Sequence, residues 1–442
     1  MIRVTKSDPA GSTLNPTEVD ASASLKTHEL KCSALSIQTT KLPYYNHNCN
    51  IIPLNCNDGL TTTGNNLPLS DNTARDTTLN DSDKVDVHEL SSRLEALYLQ
   101  YAPDFLDDDF LEEDSDLAKS DLALKPELHN SNNTTPSQKH RSQEEAIVRC
   151  MHEQGLLDGG RAVYVEFGSG KGNLSLAIGS SEYTNVADSR FICIEKSAYK
   201  HKAENNARME AYRARIDLCD VDLPKLLVHA DSTVFKNASV SNQNDTMTQE
   251  DVDNATVTCR GSSRSRSWGV VGTGKHVCGG ATDLSLVALK NLLDASAASD
   301  YEQTKLPLDI IGDSTTNNYS IKGVSLALCC HGLCSWNCCT AKSWLQATGN
   351  ITASEFEYLR KWSGFFVVDK QQAESEKLHG TDDTKDLLSS FSSRARLGRM
   401  CKRLIDFGRM HYIRTQLHLQ SRLVRFIDSS VTPENVLLIA YQ

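Results

Sequence analysis

Apolar positions along this chain come in short runs whose period switches between two and about 3.6, with long polar stretches between them. Val163, Tyr164, Val165 and Phe167 form a β-rich run long enough for one buried strand. Leu174, Leu176, Ala177 and Ile178 follow as the apolar face of a helix, and Gly168, Gly170 and Gly172 stand between the two. Strand, glycine turn and helix make the first half of a βαβ unit. The alternation continues with FICIEK (191–196), a third strand around Arg215 to Leu218, and Val270 and Val271 leading to a helix from Asp283 to Leu289. GVSLALCCHGLC (323–334) and the terminal ENVLLIAYQ add two further strands. Strands separated by helices predict an α/β fold with a mostly parallel sheet covered on both faces. Upstream, Leu90, Leu94, Leu97 and Tyr101 recur at helical steps, residues 139–157 predict a second helix, and KHKAENNARM (200–209) a basic one.

The glycine turn is the strongest local signal. Glycine reaches positive φ without strain and lets backbone approach a ligand, and the helix that starts there offers unpaired N–H groups. The spacing G-x-G-x-G is neither the dinucleotide fingerprint nor a Walker loop. Glu195, at the end of the second strand, stands where an acidic residue accepts bonds from the ribose hydroxyls of a nucleoside.

Composition changes the picture at the edges. Hydrophobic residues are 39% and aromatics 6%, low for 442 residues of packed protein, which predicts long polar segments. Residues 1–80 read as mostly disordered and 81–138 as an acidic helix and linker. The α/β domain is expected over 139–442, with polar insertions near 236–262, 292–320 and 370–392. No apolar run reaches a membrane span, and the N-terminus has no secretory h-region. With 14 cysteines and no secretion signal, reduced thiols or metal ligands are expected rather than a disulfide framework, and a cytoplasmic or nuclear location. The net charge of −11 is concentrated in residues 81–127, which hold 15 Asp and Glu against four Lys and Arg. Residues 394–425 hold nine Lys and Arg and one acid, Asp406. In that block Arg399, Lys402, Arg403, Arg409 and Arg414 recur near helical spacing, a candidate face for an RNA backbone or a solvated helix face.

The turn E-x-G-x-G-x-G resembles motif I of the S-adenosylmethionine-dependent class I methyltransferases, a Rossmann-like fold. That resemblance implies cofactor-binding roles for Glu166, Gly168, Gly170, Gly172 and Glu195, and places either Asp217 or Asp220 at the adenine amino group. Together with GTGKHVCGGATDL, LALCCHGLC and the C-terminal stretch from LGRMCKRL to ENVLLIA, the chain resembles the eukaryotic tRNA ribose 2′-O-methyltransferases that modify nucleotide four of the acceptor stem. The likeness covers about 139–442 apart from the insertions, and one departure is Gly332, where that family has a second histidine. It implies S-adenosylmethionine as cofactor and tRNA as partner. LKTHELKC…PYY is similar to the end of that family's small zinc finger, near 25–50, with His28 and Cys32 as remaining ligands and the earlier ones missing.

Methyl transfer to a ribose needs the 2′-hydroxyl aligned behind the sulfonium and its proton removed. The stretch GKHVCGGATD supplies Lys275, His276 and Asp283 near a strand's carboxyl end, with histidine or aspartate as proton acceptor and lysine as support for the alkoxide. Cys329, Cys330, His331, Cys334, Cys338 and Cys339 invite a metal reading, but no C-x-x-C pair occurs among them, and small soft residues beside the substrate explain them equally. Two other functions fit the glycine motif alone: a methyltransferase with another acceptor, and a non-catalytic RNA-binding protein that kept the fold.

Overall fold

The strand Ala162–Phe167 (β1) buries all six of its residues, as a strand covered on both faces must. Val163, Val165 and Phe167 join one apolar cluster, while Ala162 and Tyr164 join a second on the opposite face, the period-two alternation of a pleated strand. A computed structural model of the chain describes residues 41–52, 85–106, 110, 136–158, 160–199, 202, 209–235, 267–303, 318–366 and 391–442. Helices α1 (Val87–Phe105) and α2 (Pro136–Glu153) precede β1. Helix α3 (Asn173–Gly179), strands β2 (Ser189–Ile194) and β3 (Ala211–Ala214), and helix α4 (Leu223–Ala230) follow it. Then come β4 (Trp268–Gly274), α5 (Gly280–Gln303), β5 (Tyr319–Leu328), α6 (Lys342–Gly349) and α7 (Ala353–Ser363). Helix α8 (Phe391–Tyr412) leads into β6 (Gln420–Arg425) and β7 (Val436–Tyr441).

The seven strands form one sheet in the order β3-β2-β1-β4-β5-β7-β6. The first five are parallel, and β7 runs antiparallel to both β5 and β6. This is the class I methyltransferase arrangement. From β1 the chain steps outward through β2 and β3, then crosses back to β4 on β1's other side. The crevice beyond the carboxyl ends of β1 and β4 is therefore the topological switch point, where open α/β sheets bind ligands. Helices α2 and α3 cover one face through Ile147, Met151, Leu174 and Ile178. The other face carries α1 and α4 to α8 through residues such as Leu94, Leu226, Leu289 and Leu404.

Several sequence expectations need correction. The third strand lies at 211–214, not 215–218. As an edge strand it is only partly buried, and the apolar Ile216 and Leu218 belong to the turn after it. Helix α5 runs to Gln303, through the first part of the expected 292–320 insertion, because Leu286, Leu289 and Leu292 keep its apolar stripe facing the core. Strand β6 was not expected: in QSRLVR only Ser421 and Leu423 are buried, and its arginines read as part of the basic block. Residues 41–52, expected within a disordered region, pack onto the turn after β3. There Tyr45 bridges Val221, and the buried Asn50 donates to the carbonyls of Leu218 and Val221. His28, Cys32, the rest of 1–40, the stretch 236–262, residues 370–390 of the expected 370–392 insertion and most of 200–209 lie outside the described residues.

Candidate active site

The carboxyl end of β1 runs into a turn in which Gly168, Gly170 and Gly172 have φ of 59°, 51° and 85°. Three left-handed residues alternate with ordinary ones, a path that side chains with a Cβ adopt only at a cost of about 1–2 kcal/mol each. The turn is held from both sides. The Ser169 amide donates to the Ile194 carbonyl at 3.0 Å, tying the turn to β2. Arg213 of β3 donates to the Gly170 carbonyl at 2.9 Å and to Ser169 Oγ at 3.1 Å. Glu166, 3% exposed, accepts from the Ser175 amide at 2.9 Å and from the Ser175 hydroxyl, so it fastens α3 beneath the turn. Burial pushes its carboxyl up to about 7, against the Ser175 bonds and the Arg213 charge.

A cavity of about 770 Å³ opens over this turn, within the size range of small-molecule sites. Of the six residues expected to bind a cofactor, Glu166, Gly168, Gly170, Glu195 and Asp217 line it, and Gly172, which does not, sets the turn at the start of α3 with its positive φ. Glu195 accepts from the Gly170 amide at 2.9 Å and from the Ser197 amide at 2.8 Å, which fixes the carboxylate at the cavity edge. Asp217 and Asp220 face different ways. Asp217 lines the cavity, whereas Asp220 accepts the Asn48 amide at 2.8 Å and turns toward residues 41–52. A Cβ on Gly170 would meet nothing nearer than the Tyr199 hydroxyl at 3.9 Å, so that glycine's missing side chain is cavity space. The cavity, its glycine floor and two carboxylates 22 positions apart fit the methionine, ribose and adenine parts of S-adenosylmethionine.

Lys275 and His276 line the same cavity from the end of β4, and Asp283 does not. Lys275, 7% exposed, donates to the His140 carbonyl at 2.8 Å and to Glu144 Oε1 at 2.9 Å, and lies 3.4 Å from His140 Nδ1. Its ammonium therefore fastens α2 to β4. His276 is exposed at the cavity wall, with its ring 5.8 Å from that of His140. Desolvation, then the Lys275 charge and His140, hold its pKa below the usual imidazole value, so the ring is neutral and basic at neutral pH.

Asp283 is fully buried on the other side of the loop. It accepts from Arg409 Nη2 at 2.7 Å and from the Thr340 amide and hydroxyl at 3.0 and 2.7 Å. A carboxylate held by a guanidinium out of reach of the cavity is a structural anion, so the expectation that it accepts a proton is corrected. The basic block is corrected with it. Arg399, Lys402, Arg403 and Arg409 are 7%, 4%, 6% and 1% exposed, so α8 offers these charges neither to an RNA backbone nor to solvent. Arg409 pairs with Asp283 and Asp406, Lys402 with Glu434, and Arg403 lies 3.8 Å from Asp406 and over the Phe110 ring. Burial would raise the Asp406 carboxyl, but His331, Arg409 and Arg403 hold it below the usual carboxylate range. Acidic arm and basic block meet each other: Arg396 pairs with Glu95 of α1, and Tyr98 and Phe105 stack on Phe407.

Sequence reasoning missed His140, Glu144 and Arg213. His140 lies at the start of the helix expected over 139–157, and Glu144 meets its lysine across 131 positions, where no spacing signal exists.

The family model described as Methyltransferase TRM13 matches residues 142–441. The human protein named tRNA:m(4)X modification enzyme TRM13 homolog is 28% identical over 350 residues, covering 68% of this chain and 64% of that one. The Schizosaccharomyces pombe protein named tRNA:m(4)X modification enzyme TRM13 is 23% identical over 313 residues, covering 69% of this chain and 68% of that one. The chain spans about two thirds of the length of these curated relatives. Among solved structures, the plantazolicin methyltransferase BpumL in complex with SAH is matched at a TM-score of 0.27 and 10% identity, over 80% of this chain and 95% of that one.

Proposed function

This chain belongs to the TRM13 methyltransferase family, and from that premise we propose that it methylates the ribose 2′-hydroxyl of nucleotide four in a tRNA acceptor stem. The observation that carries the reading is the coincidence of Gly170, Glu195, Asp217 and His276 on one cavity at the switch point of a class I sheet. The relatives' names, tRNA:m(4)X modification enzymes, support the acceptor.

Bound S-adenosylmethionine supplies a methyl group on a sulfonium. The glycine turn would hold its methionine part, Glu195 the ribose hydroxyls and Asp217 the adenine amino group. His276 takes the proton of the acceptor's 2′-hydroxyl as that oxygen becomes a nucleophile, and its depressed pKa leaves it free to do so at neutral pH. Lys275, bonded to His140 and Glu144, keeps the His276 loop in register with α2 rather than reaching the alkoxide. Much of the rate comes from alignment in the cavity, so loss of the base slows the reaction without abolishing it.

A tRNA enzyme of this kind works in the cytoplasm or nucleus. Among the described residues no helix is long and apolar enough to cross a membrane. A zinc ion at His28 and Cys32 stays part of the reading for the N-terminal region. The test is to incubate the full chain with bulk tRNA and S-adenosylmethionine and map the product by mass spectrometry of nuclease fragments. A 2′-O-methyl group at nucleotide four supports the proposal. Methylation of a base, of another position, or of protein alone overturns the assigned acceptor.

A further inference from the structure

Gly279 has φ of 58°, and a Cβ there would fall 2.2 Å from the Leu333 carbonyl carbon. That close approach presses the loop after β4 against the turn after β5. It brings together thiols that lie 51 positions apart in the chain. Cys278 Sγ is 2.9 Å from Cys329 Sγ, and these two and Cys330 Sγ all lie within 4.8 Å of one another. Cys278 and Cys329 are partly buried and Cys330 is exposed, so the cluster has both a wall and an entrance. Cys278 also lines the cavity, two residues from His276.

We infer that Cys278, Cys329 and Cys330 form a binding site for a thiophilic cation, Zn²⁺. Sulfurs around a tetrahedral zinc at ~2.3 Å stand ~3.8 Å apart, so these thiols close on an ion by small side-chain adjustments and no movement of strands. Three sulfur donors select zinc over the hard cations magnesium and calcium. Each thiol gives its proton to solvent as it binds, and the fourth position is left to water. The ion would clamp the loop carrying Lys275 and His276 to the end of β5. It would act on the cavity by positioning, whatever acceptor the cavity serves.

The full chain, purified under reductant and stripped with a chelator, is titrated with Co²⁺ and then Zn²⁺. Thiolate-to-cobalt charge-transfer bands that Zn²⁺ displaces are expected. They should vanish in Cys278→Ser, Cys329→Ser and Cys330→Ser, and persist in Cys150→Ser, whose thiol lies on α2. Thiols of the N-terminal region do not follow that pattern. A second measurement uses the unmutated protein: Zn²⁺ should slow iodoacetamide labelling of Cys330 at least tenfold, read by peptide mass. Bands unchanged in all three variants overturn the site. So does equal Cys330 labelling with and without Zn²⁺, or a Cys278–Cys329 disulfide that persists under reductant.

Discussion

The glycine turn after β1 and the basic helix α8 are both conspicuous in the sequence, and they differ in where their partners lie. The turn is defined by its own φ angles and by contacts to Ile194, Glu195 and Arg213, all within 44 positions. Its demand for glycine is written at the residues that need it. Helix α8 is defined by what surrounds it: Asp283 lies 126 positions before Arg409, and Glu434 lies 32 after Lys402. A row of cations looks the same in sequence whether it faces phosphate, water or buried carboxylates. Charge density marks a helix that needs anions, and only the fold decides whether those anions belong to the protein.

The comparison is broken most strongly at Arg409. If α8 is a structural helix, Arg409→Ala leaves Asp283 and Asp406 as buried charges short of a partner and costs about 3–5 kcal/mol. Thermal or urea unfolding reads the loss; a variant as stable as the parent would return α8 to a surface role. The next effect concerns the cavity. His276→Gln should lower kcat about 10²–10⁴-fold while leaving the Kd of cofactor and tRNA unchanged. In the parent, kcat should fall as pH drops through the depressed His276 pKa, because protonation removes the base. Glu166 titrates near 7 in the same wall, so the test is whether the glutamine variant loses that acidic limb. A limb that persists assigns it to Glu166.

Glu195→Ala removes the bonds to Gly170 and Ser197 and should weaken cofactor binding by about 1.5–3 kcal/mol, the range for bonds to a charged group. It appears as a raised cofactor KM with an unchanged KM for tRNA. The smallest expected effect is none. Each phosphate contact is worth about 0.7–0.9 in the slope of log K against log salt, and Arg403→Gln should leave the tRNA slope unchanged. A slope flattened by one contact would place Arg403 on RNA after all.

The same distinction explains how much was legible. Strands β1, β2, β4, β5 and β7 each contain a short apolar run, and their order with intervening helices implies the sheet. Gly168, Gly170, Gly172 and Glu195 were readable because local backbone geometry and strand ends fix their places. Asp217 and Asp220 were indistinguishable because only the direction of the turn after β3, set by Asn48 and Asn50, separates them. Asp283 carries no sequence sign of its direction: Ala281 and Leu284 of α5 line the cavity, while Asp283 between them faces Thr340 and Arg409. His140 and Glu144 carried no signal, since their meaning depends on Lys275 arriving from another strand.

The central claim is that the turn at Gly170 is the floor of the cofactor site. Calorimetry with S-adenosylhomocysteine on the parent and on Gly170→Val tests it most directly. A valine at φ 51° strains the turn by about 1–2 kcal/mol and puts its side chain into cavity space beside Tyr199. The parent should bind with one site per chain, and the variant should show no heat of binding while still unfolding cooperatively. A folded Gly170→Val protein that binds as tightly as the parent would contradict the account.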